Sequence, residues 1–122
     1  MAENKGKILI IDDSATNVFL LQTLLEEQGY TVLFTYNGQE AIKYLDEQKF
    51  DLLLLDIMMP GVDGYDILEK LASEQRNTPV IMVTAKDDRD SEKKAKDLGA
   101  TDYVTKPVNF EKLIKLVQKY TN

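Results

Sequence analysis

Residues 51–56 read Asp-Leu-Leu-Leu-Leu-Asp, so four consecutive leucines stand between two aspartates. A continuous apolar run of this length is typical of a strand that is buried on both faces of a parallel sheet. Similar runs occupy residues 8–11 and 80–83, and the more mixed segments 31–35 and 101–104 also favour strands. The sequence therefore predicts five short strands.

The segments between these strands carry apolar residues at helical spacing, which predicts amphipathic helices. Asn37 and Asn109 are placed to cap the second and fifth helices. The segment Asp87–Leu98 is mostly charged and offers only Ala95 and Leu98 to a core, so we expect it to be the most loosely held helix. The other predicted core-facing stripes are Val18, Leu21 and Leu25; Ala41, Ile42 and Leu45; Tyr65, Leu68 and Ala72; and Phe110, Leu113, Ile114 and Val117.

Strand and helix thus alternate five times within 122 residues. Right-handed crossovers between parallel strands convert this pattern into a doubly wound α/β sandwich with helices on both faces of the sheet. We expect one flavodoxin-like domain over residues 1–122, with five parallel strands and five helices. Strand order 2-1-3-4-5 is the commoner choice for a chain of this length.

Composition excludes several classes of function. The chain has 15 basic and 21 acidic side chains and a formal net charge of −6, which disfavours binding to nucleic acid or to an anionic membrane. The absence of cysteine and histidine excludes disulfides, thiolate catalysis, Ser-His-Asp triads and histidine metal sites. No apolar run is long enough to cross a membrane and no secretory signal opens the chain, so we expect a cytoplasmic protein.

Polar side chains follow four of the five predicted strands. Asp12 and Asp13 follow the first strand, Asp56 the third, Thr84 the fourth, and Lys106 the fifth. Ligands of open parallel sheets bind at the carboxyl ends of the strands, so these groups are expected to meet at one edge. Three carboxylates there would repel one another, and Lys106 together with a hard divalent cation such as Mg²⁺ would offset that repulsion.

Each of these residues also has a purely structural interpretation. An aspartate after a strand often caps a helix or forms a turn, which applies to Asp12 and Asp13 taken singly. Thr84 alone would usually be structural, and Lys106 alone would usually be a solvated surface lysine. Asp56 is harder to explain in this way, because it interrupts an apolar run where a charge is costly.

Four motifs together resemble the receiver domain of bacterial two-component response regulators, the CheY-like family. They are Ile-Ile-Asp-Asp-Ser at 10–14, Leu-Leu-Asp-Ile-Met-Met-Pro-Gly-Val-Asp-Gly at 54–64, Val-Thr-Ala at 83–85 and Tyr-Val-Thr-Lys-Pro at 103–107. Each motif alone is weak, but all four occur in order and at the matching strand ends. The resemblance extends from Lys7 to about Lys119.

The resemblance implies a phosphoacceptor site with a metal ion. Asp56 matches the carboxylate that receives a phosphoryl group from a phosphohistidine. Asp12 and Asp13 match the acidic pair that holds Mg²⁺, for which Mn²⁺ can substitute, and Asp56 and the backbone carbonyl of Met58 complete the protein ligands. Members of the family are signalling domains that catalyse only their own phosphotransfer and dephosphorylation.

The resemblance also implies a switch and a set of partners. Thr84 matches the residue whose hydroxyl hydrogen-bonds a phosphoryl oxygen. Lys106 matches the family's invariant lysine, and Pro107 matches a proline whose preceding peptide bond is usually cis. Tyr103 lies at the switch-aromatic position, which couples the site to the face formed by the fourth helix, fifth strand and fifth helix. The implied partners are a sensor histidine kinase or histidine phosphotransfer protein, and a downstream protein target or covalently linked output domain.

Asn17 has two interpretations, and two other side chains flank the site. Asn17, with Val18 and Leu21 nearby, is either a docking surface for a kinase helix bundle or an ordinary cap neighbour and core face. Met58 and Lys86, two residues beyond Asp56 and Thr84, flank the site and are expected to tune dephosphorylation.

Two other functions fit the same fold. A flavodoxin-like electron carrier would need a phosphate-binding loop after the first strand, but here that loop begins with Asp12 and Asp13, which would repel a flavin phosphate. A protein-interaction module that is not phosphorylated is the second alternative, and the complete set of Asp12, Asp13, Asp56, Thr84 and Lys106 argues against it.

Overall fold

The computed structural model describes residues 4–122, in which strands and helices alternate along the chain. The strands are β1 Lys7–Ile11, β2 Thr31–Thr35, β3 Leu52–Leu55, β4 Val80–Thr84 and β5 Asp102–Thr105, and the helices are α1 Ala15–Glu27, α2 Gly38–Glu47, α3 Gly64–Ser73, α4 Arg89–Asp97 and α5 Phe110–Thr121. The predicted strands are thereby confirmed, with ends that differ by one residue in β1, β4 and β5.

All five strands are parallel and lie in the order β2-β1-β3-β4-β5, which confirms the predicted topology. β1 is therefore an interior strand, with Ile8 opposite Val32 of β2 on one side and Leu52 of β3 on the other. The strand order reverses between β1 and β3, and in doubly wound sheets this is where ligands bind. A ligand site is therefore expected at the carboxyl ends of these two strands.

The sheet separates two apolar cores because successive side chains of a strand point to opposite faces. Leu53 and Leu55 pack on one face with residues of α2, α3 and α4. Leu52 and Leu54 pack on the other face with residues of α1 and α5. None of these four leucines is more than 1% exposed, and burial of each contributes about 1.5–3 kcal/mol.

The predicted core stripes of α3 and α5 need correction. In α3 the buried side chains are Ile67, Leu68 and Leu71, while Ala72 is exposed and Tyr65 is only half-buried. The helix is thus rotated relative to the predicted stripe, so that Ile67 and Leu71 join Leu68 on the buried face.

At the start of α5, Phe110 is 39% exposed, and only Leu113 and Val117 of the predicted stripe are fully buried. Ile114 is half-buried.

Helix α4 has the smallest apolar contact surface of the five helices, as the sequence indicates. Its buried residues are Ser91 and Ala95, and Leu98 just beyond its end is half-buried. Asp88 caps the helix, with its carboxylate accepting hydrogen bonds from the amide and hydroxyl of Ser91. Within residues 4–122, no helix combines the length and apolar character needed to span a bilayer.

Candidate functional site

Three carboxylates meet at the carboxyl edge of the sheet, where β1 and β3 end. Asp12 and Asp13 follow β1 and Asp56 follows β3, and one carboxylate oxygen from each lies within 4.8 Å of the others. Asp12 and Asp56 are only 2% and 5% exposed, whereas Asp13 faces solvent. The amide of Asp56 still donates to the carbonyl of Ile11 at 3.0 Å, so the sheet ladder itself positions this carboxylate.

Lys106 lies between the two buried carboxylates. Its Nζ donates to Oδ2 of Asp12 at 2.9 Å and to Oδ2 of Asp56 at 3.0 Å. Burial alone would lower the pKa of Lys106, but the hydrogen bonds and negative charges of the two aspartates outweigh burial and raise it. Lys106 therefore stays protonated, and its single positive charge offsets only one of the three negative charges.

The remaining oxygen of each buried carboxylate is held by its own loop. Oδ1 of Asp12 accepts from the amide of Ser14 at 2.9 Å, and Oδ1 of Asp56 accepts from the amide of Met58 at 3.1 Å. The side-chain amide of Asn17 also donates to Oδ2 of Asp12, at 3.3 Å. The sequence indicates Asn17 only as a docking residue or a cap neighbour, although its position one helical turn after Asp13 places it close to the acidic pair.

A glycine allows α3 to start directly against the site. A Cβ on Gly64 would lie 2.5 Å from the carbonyl oxygen of Asp56 and 2.8 Å from Cα of Ile57, closer than side chains approach. The amide of Gly64 donates to the carbonyl of Ile57 at 3.1 Å, and Asp63 and Asp66 form a reciprocal capping box. This loop therefore has little freedom to move away from Asp56.

Thr84 and Lys106 are joined through the backbone at the ends of β4 and β5. Thr84 is fully buried, and its carbonyl accepts from the amide of Lys106 at 2.8 Å. Its hydroxyl oxygen accepts from the amide of Lys86 at 3.4 Å. The peptide bond between Lys106 and Pro107 is cis.

Tyr103 of β5 contacts the loop that leads from β4 into α4. Its hydroxyl donates to the carbonyl of Lys86 at 2.6 Å, and its ring packs against the core on the α4 side of the sheet. Burial raises the pKa of Tyr103 to about 12, with smaller contributions from Tyr65 and nearby carboxylates. The phenol is therefore neutral and able to donate at any physiological pH.

The residue pattern and its geometry agree with the comparison to known families. The sequence profile of the response regulator receiver domain matches residues 8–118. The chain belongs to this family. It is accordingly a signalling domain of two-component systems rather than a classical enzyme.

Similar proteins support the assignment to the receiver domain family over nearly the whole chain. The chain is 39% identical to protein PilH of Pseudomonas aeruginosa, with 92% of this chain and 94% of PilH covered. It is 40% identical to the uncharacterized transcriptional regulatory protein YkoG of Bacillus subtilis, covering 93% of this chain but only 50% of YkoG. The chain thus spans about half the length of that relative and nearly all of PilH.

A solved receiver domain has the same architecture. The structure of the Francisella response regulator 1452 receiver domain aligns with a TM-score of 0.90 and 31% sequence identity, over 95% of this chain and 96% of that chain. The five-strand order and the five helices are therefore those of an ordinary receiver domain.

The structure decides between the two interpretations of Val18 and Leu21 in α1. They are only 1% and 2% exposed and belong to the core, which confirms the core-face interpretation and excludes them as docking residues. Phe19 and Leu20 are instead 66% and 43% exposed. A helix that leaves large apolar side chains in water presents a candidate contact surface, and the core-facing residues must be removed from that assignment.

Proposed function

We propose that residues 1–122 act in the cytoplasm as one phosphorylation-activated switch, in which Asp56 accepts a phosphoryl group from a histidine kinase or histidine phosphotransfer protein. The observation that carries this proposal is the bridge from Lys106 to both Asp12 and Asp56, beside a third carboxylate, at the strand ends. A buried aspartate next to a fixed cation is well placed to attack an anionic phosphoryl group.

The donor set at this edge fits a hard divalent cation. It consists of carboxylate oxygens from Asp12, Asp13 and Asp56, and the backbone carbonyl of Met58 is the proposed fourth protein ligand. Lys106 supplies one positive charge against three negative ones, and a divalent ion matches the difference of two. Mg²⁺, or Mn²⁺ in its place, would neutralise charge between the carboxylates and the oxygens of the incoming phosphoryl group.

The transfer step makes one bond and breaks one. An oxygen of the Asp56 carboxylate attacks phosphorus, the phosphorus–nitrogen bond of the phosphohistidine breaks, and the electron pair leaves with the imidazole. The chain has no histidine, so the phosphohistidine must belong to another protein. Lys106, already hydrogen-bonded to Asp56, is placed to hold a phosphoryl oxygen as charge develops there.

The response to phosphorylation runs through Thr84, Lys86 and Tyr103. An aspartyl phosphate carries more negative charge and more acceptor oxygens than a carboxylate, and the buried hydroxyl of Thr84 is proposed as a donor to one of them. Because the amide of Lys86 donates to that hydroxyl and the carbonyl of Lys86 accepts from Tyr103, a shift of Thr84 reaches both. The proposed output is a population shift of the α4-β5-α5 face that a protein target or linked output domain reads.

The partner that supplies the phosphoryl group must approach the exposed carboxyl edge of the sheet. Helix α1 starts at this edge, and its exposed Phe19 and Leu20 offer apolar contacts for a helix of the kinase or phosphotransfer protein. The docking surface proposed here uses these two residues in place of Val18 and Leu21.

The switch is tested by separating phosphorylation from response. Amide chemical shifts of the wild type, Asp56→Asn and Lys106→Ala are compared in the presence of Mg²⁺, before and after addition of acetyl phosphate. We expect the wild type to shift at the site and along α4, β5 and α5, and Asp56→Asn to shift at neither. Lys106→Ala should still be phosphorylated, with changes confined to the site, because its bridge to the phosphorylated group is missing. Equal changes on the α4-β5-α5 face in Lys106→Ala would contradict this coupling.

A further inference from the structure

Helix α4 has few core contacts to hold it in position. Its buried residues are one serine and one alanine, and the Asp88 cap joins the helix only to its own first turn. Two i,i+4 ion pairs, Lys93–Asp97 and Lys96–Glu92, also lie within the helix. The cap and the ion pairs do not join α4 to the rest of the protein, and Ala95 offers the core only a small side chain, so contacts with neighbouring elements carry extra weight.

Tyr65 of α3 makes two contacts with α4. Its hydroxyl donates to the backbone carbonyl of Ser91 at 3.4 Å, a long hydrogen bond. The Nζ of Lys94 lies 4.2 Å from the centroid of the Tyr65 ring, within the range of a cation–π interaction. Tyr65 itself packs against the core between the sheet and α2, α3 and α4, so it provides a fixed base for both contacts.

The same aromatic ring lies near the switch residue. Tyr103 packs against the same core cluster, and its hydroxyl donates to the carbonyl of Lys86, three residues before α4 begins. Burial is the main reason that the pKa of Tyr103 is raised, and the neighbouring phenol of Tyr65 adds to it. Two phenols thus hold adjacent parts of the segment that runs from the end of β4 into α4.

We propose that Tyr65 and Lys94 are positioning residues that latch α4 onto α3 and thereby favour the hydrogen bond from Tyr103 to Lys86. The latch acts in the unphosphorylated protein through contacts already present. Its consequence for signalling rests on the proposed function, because it matters only if the α4-β5-α5 face is the output. A weaker latch would make α4 easier to move and Tyr103 less often bonded to Lys86.

The test uses Lys94→Met, which removes the ammonium group over the Tyr65 ring and keeps a side chain of similar length. Amide hydrogen exchange is measured by NMR on the full chain without any phosphodonor, for the wild type, Lys94→Met and Lys93→Met. Lys93→Met is the matched control, because it removes the same charge from the same helix at a side chain that is 79% exposed and pairs with Asp97. We expect α4 amides to exchange about two- to fivefold faster in Lys94→Met, with little change in Lys93→Met.

Rescue and a spectroscopic reporter distinguish a positioning role from a general loss of stability. Lys94→Arg keeps a cation over the ring and should restore wild-type exchange. The amide nitrogen shift of Asp87 reports on the hydrogen bond to the Lys86 carbonyl, because the two groups share one peptide, and Tyr103→Phe defines its value without that bond. Lys94→Met should move this shift part of the way towards the value in Tyr103→Phe.

A second variant examines the Tyr65 hydroxyl separately. Tyr65→Phe keeps the ring and its cation contact but removes the hydrogen bond to Ser91, so it should accelerate α4 exchange less than Lys94→Met does. The proposal is overturned if Lys94→Met and Lys93→Met behave alike, if Lys94→Arg fails to rescue, or if the Asp87 shift stays at its wild-type value. All of these readouts are independent of phosphorylation, so failure of the latch and failure of the proposed switch are distinguishable.

Discussion

At the residue scale, the site is a small excess of negative charge that the fold holds in place. The sheet ladder, the Ser14 and Met58 amides and Lys106 fix the two buried carboxylates, while Asp13 remains exposed. Asp13 faces solvent, and two unit charges about 4 Å apart in bulk water repel by about 1 kcal/mol. The charge of Asp13 therefore opposes folding slightly until a cation binds.

This charge excess predicts the effect of Asp13→Asn. The variant should be about 1 kcal/mol more stable than the wild type without divalent ions, because one repulsive charge is gone. Mg²⁺ should stabilise the wild type, by about 2.7 kcal/mol at one hundred times its dissociation constant, and should stabilise Asp13→Asn much less. Urea unfolding with and without Mg²⁺ measures both effects. Equal Mg²⁺ stabilisation of the two proteins would remove Asp13 from the ligand set.

The sequence predicted which residues gather at the site, because parallel strands bring their carboxyl ends to one edge. It did not predict that Lys106 bridges Asp12 and Asp56 simultaneously, since that depends on where the β5–α5 loop passes. The contact from Asn17 to Asp12 was also missed, because a side-chain amide at a helix start has many possible partners.

At the element scale, the helices differ in how their positions are determined. Helix α1 buries Val18, Leu21 and Leu25, as predicted, because these residues recur at helical spacing on one face, while Phe19 and Leu20 lie outside that face. The predicted stripe of helix α3 is right for Leu68 and in part for Tyr65 but wrong for Ala72, because Tyr65, Leu68 and Ala72 also satisfy helical spacing. The greater apolar area of Ile67 and Leu71 decides the observed orientation, and spacing alone does not weigh area.

Helix α4, with little core contact, should be the helix most sensitive to its cap. Asp88 accepts hydrogen bonds from the amide and hydroxyl of Ser91, and the backbone bond is the main cause of its lowered pKa. Because the pKa is lowered in the folded protein, the cap contributes stability above the ordinary aspartate pKa and loses it as the pH falls. Asp88→Ala should therefore accelerate exchange of α4 amides severalfold at neutral pH.

Asp88→Asn provides the control for this cap. Asparagine accepts the same backbone hydrogen bond and is an equally good N-cap, so its exchange should stay close to that of the wild type. If Asp88→Asn accelerates α4 exchange as much as Asp88→Ala does, the charge and not the capping hydrogen bond holds this end of the helix.

At the scale of the whole molecule, the fold was predictable because short buried strands and amphipathic helices alternate without exception. The order of the strands cannot be read from periodicity, and 2-1-3-4-5 was predicted only as the commoner arrangement for this length, which the structure confirms. What the pattern could not indicate is how tightly the layers meet. Gly64 shows this, because its lack of a side chain matters only once α3 rests against the backbone of Asp56.

Gly64→Ala should disturb stability and site together. The added methyl group would lie 2.5 Å from the carbonyl oxygen of Asp56, so α3 or the β3–α3 loop must shift, at a cost of about 1–3 kcal/mol. Phosphorylation by acetyl phosphate should slow as well, because the displaced backbone carries Asp56. Glu69→Ala, an exposed change on the same helix, should alter stability by less than about 0.5 kcal/mol. A fully stable and fully active Gly64→Ala would contradict this packing.

The most direct test of the phosphoacceptor site is the intact mass of the protein after incubation with acetyl phosphate, with and without Mg²⁺. The wild type and Asp87→Asn, an exposed change near the site, should each gain one phosphoryl group only when Mg²⁺ is present. Asp56→Asn should gain none under either condition. No gain in the wild type, or an undiminished gain in Asp56→Asn, would contradict the assignment of Asp56 as the phosphoacceptor.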